Sequence, residues 1–108
     1  MSVSEPSPRK KKIVAPLPPA LRPGSVEERY QRQLSIFGPL ADVHEVQATT
    51  EEALIDGARD ADALMTTWGV KITRNVIENL DRCLIIGLAS VGVDMVDVEA
   101  ATDHGIVV

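Results

Sequence analysis

The sequence has few aromatic residues and a single cysteine. Aromatic side chains make up 3% of its 108 residues, so the hydrophobic core must be built from aliphatic side chains. One cysteine excludes a disulfide framework within the chain and a metal site made of cysteines alone. No apolar run approaches the ~18 residues that a transmembrane helix needs, and no signal peptide opens the chain. We therefore expect a soluble, cytoplasmic protein with no membrane partner.

The two signs of charge are unevenly distributed. The whole chain carries a formal charge of −5, yet the basic run at residues 9–12, set against Glu5, gives the first twelve residues +3. The remainder therefore carries −8, whereas nucleic-acid-binding proteins usually have a clustered basic face, so we expect no nucleic-acid partner. The basic run fits either a polyanion-binding patch or, as we favour, a solvated tail. We assign residues 1–11 to a disordered basic tail and residues 12–108 to one partial lobe.

Short apolar runs alternate with amphipathic stretches, which indicates an α/β fold with a parallel sheet. The predicted strands are residues 13–17, 42–47, 63–67, 83–89 and 106–108. The predicted helices are residues 25–37, 50–60, 73–80 and 98–104. Because connections between parallel strands are right-handed, these elements predict a doubly wound sheet of about five strands that ends in or just after the fifth. The most apolar run, 83–89, is expected to be the central strand.

Capping residues and glycines mark the ends of these predicted helices. Ser25 with Glu28, and Thr49 with Glu52, have the spacing of a capping box. The expected caps of the two later helices are Thr73 and either Asp94 or Asp97. Gly38 and Gly105 are expected to end helices.

A glycine-bearing segment follows the most apolar run. Gly87 and Gly92 have the spacing of a phosphate-binding loop, but Val93 and Asp94 stand where that loop needs Lys and Ser or Thr. The chain also has no GxGxxG dinucleotide fingerprint. The segment nevertheless lies at the carboxyl end of a strand, where open α/β sheets bind ligands. There Gly92 either lets backbone amides hold an anion such as a carboxylate or is a plain turn glycine.

A second candidate segment follows the neighbouring predicted strand, and the other candidates have ordinary explanations. Thr67, Trp68 and Gly69 open on the same edge of the sheet, where Trp68 either walls a pocket or packs on its own helix. Cys83 is interpreted as a small core residue, His44 as solvated and His104 as a cation at a helix C-terminus. Helix capping and surface exposure explain Asp94, Asp97, Glu99 and Asp103, so we expect no metal site.

The sequences Ile-Ile-Gly-Leu-Ala-Ser-Val-Gly-Val-Asp-Met-Val-Asp at 85–97 and Glu-Ala-Ala-Thr-Asp-His-Gly-Ile-Val-Val at 99–108 resemble the D-isomer-specific 2-hydroxyacid dehydrogenases. They match that family's GVDxVDxxAAxxxGIxV pattern, and weaker similarity extends back over 64–80. The resemblance implies that the chain is the flavodoxin-like substrate lobe of a larger enzyme. That enzyme would transfer a hydride between NAD(H) and C2 of a small 2-hydroxy or 2-oxo acid.

The resemblance also implies roles for the two candidate segments. Ser90, Val91 and Gly92 would hold the substrate carboxylate, and Val91 would also approach the nicotinamide end of NAD. Thr67, Trp68 and Gly69 would line the other side of the substrate. Leu88 stands where family members often carry Arg, and Met95 where they often carry Asn. The missing Arg weakens any claim for a phosphorylated acid.

The catalytic Arg, Glu and His of the family, and its GxGxxG loop, lie in a second domain that is absent from the chain. We therefore expect no catalytic residue here, an inactive lobe with an uncovered apolar surface, and a parent enzyme that is a homodimer. A non-enzymatic, corepressor-like or partner-binding module of the same fold is the alternative. A phosphorylated receiver domain is disfavoured, because Ala15-Pro16 and Thr66-Thr67 replace its acidic cluster and its Asp.

Overall fold

A computed structural model describes residues 10–18, 24, 30–66, 70–88 and 95–108. The strands within these ranges are β1 (Lys11–Leu17), β2 (Ala41–Gln47), β3 (Ala63–Thr66) and β4 (Ile85–Leu88). The helices are α1 (Gln31–Phe37), α2 (Glu51–Ala58), α3 (Arg74–Glu78) and α4 (Val98–Asp103), with a short 3-10 helix at Gly38–Leu40. All strand pairs are parallel, in the order β2-β1-β3-β4. The predicted parallel α/β fold is confirmed.

The end of the chain extends this sheet beyond β4. Val107 forms a parallel bridge with Ile85. The amide of Ile86 donates to the carbonyl of Val107 at 2.7 Å, and the amide of Val107 donates to the carbonyl of Leu84 at 3.0 Å. Residue 107 therefore occupies the place of a fifth strand. The resulting order, 2-1-3-4-5, is that of flavodoxin-like sheets, whose strand order reverses between β1 and β3.

The strand order also distributes the helices between the two faces of the sheet. The connection from β1 to β2 steps in one direction, and the later connections step in the other. Right-handed crossovers therefore place α1 on one face and α2, α3 and α4 on the opposite face. The core between β1, β3 and those three helices is aliphatic, as the scarcity of aromatic residues requires. Its most deeply buried side chains include Val14, Leu54, Leu64, Ile72, Ile77 and Ile86.

Apolar side chains at and beside β4 are left uncovered by the described residues. Leu84 is 70% exposed, Ile85 49% and Val107 63%. The prediction that the run 83–89 is the central strand is wrong, because β3 is the middle strand of the order 2-1-3-4-5. The apolar content of a strand indicates how well that strand is suited to burial. The crossover connections decide the order of the strands in the sheet.

Several boundaries differ from the predicted ones by one or two residues. Strand β1 begins at Lys11, one residue inside the predicted tail, and Lys10 and Lys12 form ion pairs of 3.2 and 2.8 Å with Asp42 and Asp60. Helix α2 ends at Ala58 instead of residue 60. The chain turns there because β3 must align with β1.

That alignment is made by Asp62 at the amino end of β3. The amide of Asp62 donates to the carbonyl of Lys12 at 2.8 Å, and Asp62 Oδ2 accepts from the amide of Lys12 at 2.7 Å. The predicted start of α1 at residues 25–29, like most of the predicted tail at residues 1–9, lies outside the described residues.

Helix α2 packs on β2 through a glycine. A Cβ atom added at Gly57 would lie 2.6 Å from Cγ1 of Val46 and 2.8 Å from Cγ2 of the same side chain. Real Cβ atoms do not approach other heavy atoms this closely. Gly57 thus allows α2 to lie close to the sheet, which also fixes where the segment between β2 and α2 reaches the carboxyl edge.

Gly57→Ala is expected to destabilise the fold by about 1–3 kcal/mol, because the new methyl group overpacks the contact with Val46. Helix propensity alone predicts the opposite sign, a gain of about 1 kcal/mol. Urea denaturation measures the effect in the wild-type and Val46→Ala backgrounds. In the second background the two closest contacts are removed and only the Cβ of residue 46, at 3.2 Å, stays near, so Gly57→Ala should cost much less stability. A stabilising effect in the wild-type background would contradict this account of the packing.

Candidate functional site

The residues predicted to bind substrate and cofactor lie outside the described part of the chain. They are Thr67, Trp68, Gly69, Ser90, Val91 and Gly92. Asp94, one of the two proposed helix caps, lies outside it as well. The structure does describe the residues on both sides of each segment, and their pairing defines where the two segments leave the sheet and return to it.

Both predicted segments leave the sheet from paired residues. Thr66 is the last residue of β3 and Leu88 the last of β4, and the two are register partners in the parallel ladder. Since the carboxyl ends of parallel strands lie at one edge, segments 67–69 and 89–94 begin side by side. They begin next to the point between β1 and β3 where the strand order reverses, which is where open α/β sheets bind ligands.

The chain beyond each segment is paired again. Ile72 and Val96 form a parallel bridge. The amide of Ile72 donates to the carbonyl of Met95 at 2.7 Å, and the amide of Asp97 donates to the carbonyl of Ile72 at 3.0 Å. Ile72 is 1% exposed and Val96 5%, so the bridge is buried. The two candidate segments are therefore held together at both of their ends.

The segment 70–73 separates two surface cavities at this edge. One, of about 270 Å³, lies against the start of α2 and is lined by residues 48–51, Leu54, Val70, Lys71 and Thr73. The other, of about 320 Å³, lies against the start of α4 and is lined by residues 71–74 and 95–97. Lys71 and Thr73 line both cavities. Lys71 is exposed and adds a positive charge to both cavities, whose linings also contain the acidic residues Glu51 and Asp97.

The helices that begin at this edge are capped by their own side chains. Thr50 Oγ1 accepts from the amide of Ala53 at 3.0 Å, so Thr50 is the cap of α2 and the predicted box from Thr49 to Glu52 is not formed. Thr73 and Asp97 cap α3 and α4, as predicted. Each capping side chain takes one of the first-turn amides of its helix, those of Ala53, Val76 and Ala100.

Thr66 is a residue of this edge that the sequence interpretation did not assign to the site. It is 1% exposed, and its hydroxyl has no hydrogen-bond partner among the described residues. Buried hydroxyls are nearly always hydrogen-bonded. Thr66 could have been recognised in the sequence as a polar residue at the carboxyl end of an apolar strand, directly before a predicted ligand-binding segment.

Among the titratable groups near this edge, Glu51 is a carboxylate whose pKa is shifted. Hydrogen bonds from Thr73, at 2.6 Å, and from Asn75 lower the pKa of Glu51 below its ordinary value. His44 is exposed, as predicted, and His104 is the exposed residue that ends α4. Within the described ranges, no group of three His, Cys, Asp or Glu side chains is placed to hold a metal ion.

A family profile described as "D-isomer specific 2-hydroxyacid dehydrogenase, catalytic domain" matches residues 25–108. The chain belongs to the D-isomer-specific 2-hydroxyacid dehydrogenase family. A D-3-phosphoglycerate dehydrogenase of Methanocaldococcus jannaschii is 40% identical over 79 residues, which cover 73% of this chain and 15% of that relative. The chain thus spans about one seventh of the length of this relative. The resemblance noted in the sequence is confirmed.

Solved structures agree on the fold. A protein of Pyrococcus horikoshii matches with a TM-score of 0.71 at 28% identity, over 92% of this chain and 27% of its own. An NAD⁺-bound 3-phosphoglycerate dehydrogenase of Entamoeba histolytica matches with a TM-score of 0.73 at 24% identity, over 92% and 32% of the two chains. At that identity the second match shows the shared fold alone.

The structure describes both residues that depart from the family pattern, Leu88 and Met95. Leu88 is half-buried at the end of β4 and packs against the core, so it contributes no charge to the edge of the dehydrogenase lobe. Met95 is also half-buried, and its carbonyl accepts the bond from Ile72. Position 95 therefore acts in the described structure through its backbone, which a change of side chain from Asn to Met preserves.

No helix in the described ranges of the dehydrogenase lobe is both long and apolar enough to cross a bilayer. The cytoplasmic location stays a prediction. So do the residue boundaries of the lobe and the roles of the six predicted site residues.

Cys83 is expected to be an unreactive thiol. It is 6% exposed, burial raises the pKa of its thiol, and Sγ lies 3.3 Å from the carbonyl of Ile85. Because it is the only cysteine, a thiol-specific disulfide reagent reports on this position alone. At about pH 8 we expect the native protein to react on the order of 100-fold more slowly than the urea-unfolded chain. Equal rates in the two states would contradict the burial of Cys83.

Proposed function

We propose that this chain forms the substrate-binding lobe of an NAD-dependent D-2-hydroxyacid dehydrogenase. Family membership supplies the reaction class, oxidoreduction at the CH–OH group of a 2-hydroxy acid. The observation that carries the proposal is the double pairing of Thr66 with Leu88 and of Ile72 with Val96. A small acid held between two segments needs those segments at a fixed separation, since misplaced contacts cost much of a rate enhancement.

In this proposal the chain binds and orients the acid but moves no proton. Backbone amides of Val91 and Gly92 hold the carboxylate, with Ser90 in the same segment, and residues 67–69 line the opposite side. Lys71 adds a positive charge that favours an anionic ligand. The general acid, its positioning carboxylate and the catalytic arginine belong to a second domain. The lobe therefore supplies half of the binding cleft.

The described residues do not form a cradle for the pyrophosphate of NAD. Such a cradle needs a glycine-rich turn and free amides at a helix N-terminus. Here Thr50, Thr73 and Asp97 cap the three helices that start at the ligand-binding edge. In this proposal Val91 contacts the nicotinamide end of NAD, and the pyrophosphate is held by the second domain.

Two observations bear on which acid the site would bind. The M. jannaschii relative is named as a D-3-phosphoglycerate dehydrogenase, which makes 3-phosphoglycerate the first acid to test. Leu88 supplies no charge for a second anionic group, which favours an unphosphorylated acid such as D-glycerate or D-lactate. No observation in the described residues favours the corepressor-like alternative.

The chain alone is expected to bind such acids weakly and to oxidise no NADH. Amide resonances of Ile72 and Asp97 should shift in a titration of the ¹⁵N-labelled protein with D-lactate, D-glycerate or 3-phosphoglycerate. Propionate, which lacks the 2-hydroxyl group of lactate, is the matched control and should shift them less. Robust NADH turnover with a panel of 2-oxo acids would overturn the proposed division of labour. Indifference to all of the hydroxy acids would overturn the proposed site.

Gly92→Val is expected to weaken acid binding by about tenfold or more while leaving the fold intact, because a side chain at this position blocks close approach of the ligand to the backbone. The same NMR titration measures the affinity, and thermal denaturation measures the fold. Gly38→Ala is the control, since a Cβ there meets no atom within 4 Å. Unchanged affinity in Gly92→Val would count against the carboxylate-holding role.

A further inference from the structure

Glu51 and Thr73 connect two helices that start at the ligand-binding edge. The hydroxyl of Thr73 donates to Glu51 Oε1 at 2.6 Å and accepts from the amide of Val76 at 3.3 Å. A hydroxyl group has one proton and two lone pairs, so both bonds form at once. Thr73 therefore caps α3 and, through its proton, ties the start of α3 to the first residue of α2.

The carboxylate of Glu51 is not needed to cap α2. Thr50 already caps that helix, and Glu52 supplies a second acidic charge to its first turn. The side chain of Glu51, unlike that of Glu52, accepts a hydrogen bond from Thr73 across the boundary between the two helices. A bond to an ionised acceptor is stronger than one between neutral groups.

Ile72, the residue before Thr73, forms the buried bridge to Val96. Ile72 exchanges two backbone hydrogen bonds with Met95 and Asp97, and Asp97 caps α4. Residues 72 and 73 are thus fastened on opposite sides, to residues 95–97 by backbone bonds and to α2 by Glu51. A second link of α3 to α4, between Arg74 and Asp103 at 3.2 Å, runs over the surface.

We propose that Glu51 is a positioning residue for the candidate ligand site. Through Thr73 it sets the place of Ile72, and through the bridge between Ile72 and Val96 it sets the separation of segments 70–73 and 95–97. The inference rests on the proposed substrate lobe, because it assigns Glu51 to the binding of the acid, although Glu51 touches no acid itself. Loss of its carboxylate should loosen the bridge and lower the affinity for the acid together.

Four variants test this. Glu51→Ala removes the acceptor, and Glu51→Gln keeps an acceptor oxygen but loses the charge. Thr73→Ser keeps the hydroxyl and serves as the conservative variant. Glu52→Ala is the matched control, since Glu52 is an exposed carboxylate of the same helical turn. Each variant of the 108-residue protein is measured by amide hydrogen exchange and by NMR titration with D-lactate and 3-phosphoglycerate.

In Glu51→Ala we expect the exchange protection of Ile72 and Asp97 to fall about fivefold, the factor given by losing one ordinary hydrogen bond. The affinity for the acid should fall by a similar factor. Protection of Val14 and Leu64, in the interior of the sheet, should stay unchanged. Glu51→Gln should be intermediate, and Thr73→Ser and Glu52→Ala should resemble the wild type in both measurements.

Unchanged protection and unchanged affinity in Glu51→Ala would overturn the inference. Lowered protection with unchanged affinity would overturn it too, because Glu51 would then have only a structural role. An equal effect of Glu52→Ala would trace the change to helix charge and would also overturn it. If the wild-type chain binds none of the acids, the proposed function fails instead. Hydrogen exchange alone then decides whether Glu51 controls the bridge.

Discussion

The buried backbone bridge between Ile72 and Val96 is the contact on which the ligand-binding edge depends. It joins the chain beyond β3 to the chain beyond β4 through two backbone hydrogen bonds of Ile72, at 2.7 and 3.0 Å. The ion pair of Arg74 with Asp103 is a second link between the same two parts, on the surface. Because Ile72 and Val96 are buried, water competes poorly for the backbone bonds, and opening them exposes apolar side chains as well.

The arrangement of helices around this edge follows from the strand order. Three successive crossovers in one direction put α2, α3 and α4 side by side on one face, so their N-termini meet at the carboxyl edge of the sheet. Each of them carries its own capping side chain. The cap of each helix takes one of its first-turn amides, so the helix starts are fixed by their own side chains at this edge.

Apolar side chains at and beside β4 are exposed. Leu84, Ile85 and Val107 expose apolar surface there, although the strand itself is well paired. Contiguous exposed apolar groups favour association with other protein surfaces. In the dehydrogenase family this chain matches only part of longer proteins, about 15% of the M. jannaschii relative.

Local chemistry in the sequence determined the class of fold, the parallel strands, two of the helix caps and the stop at Gly105, whose positive φ of 76° only glycine adopts easily. The family was also legible in residues 85–108, because that pattern is dense and contiguous. What the sequence could not decide depends on contacts between residues far apart in the chain. Tertiary structure put β3 in the middle of the sheet, and joined Glu51 to Thr73 and Ile72 to Val96. These pairings arise from crossover handedness and packing between elements, which no local pattern encodes.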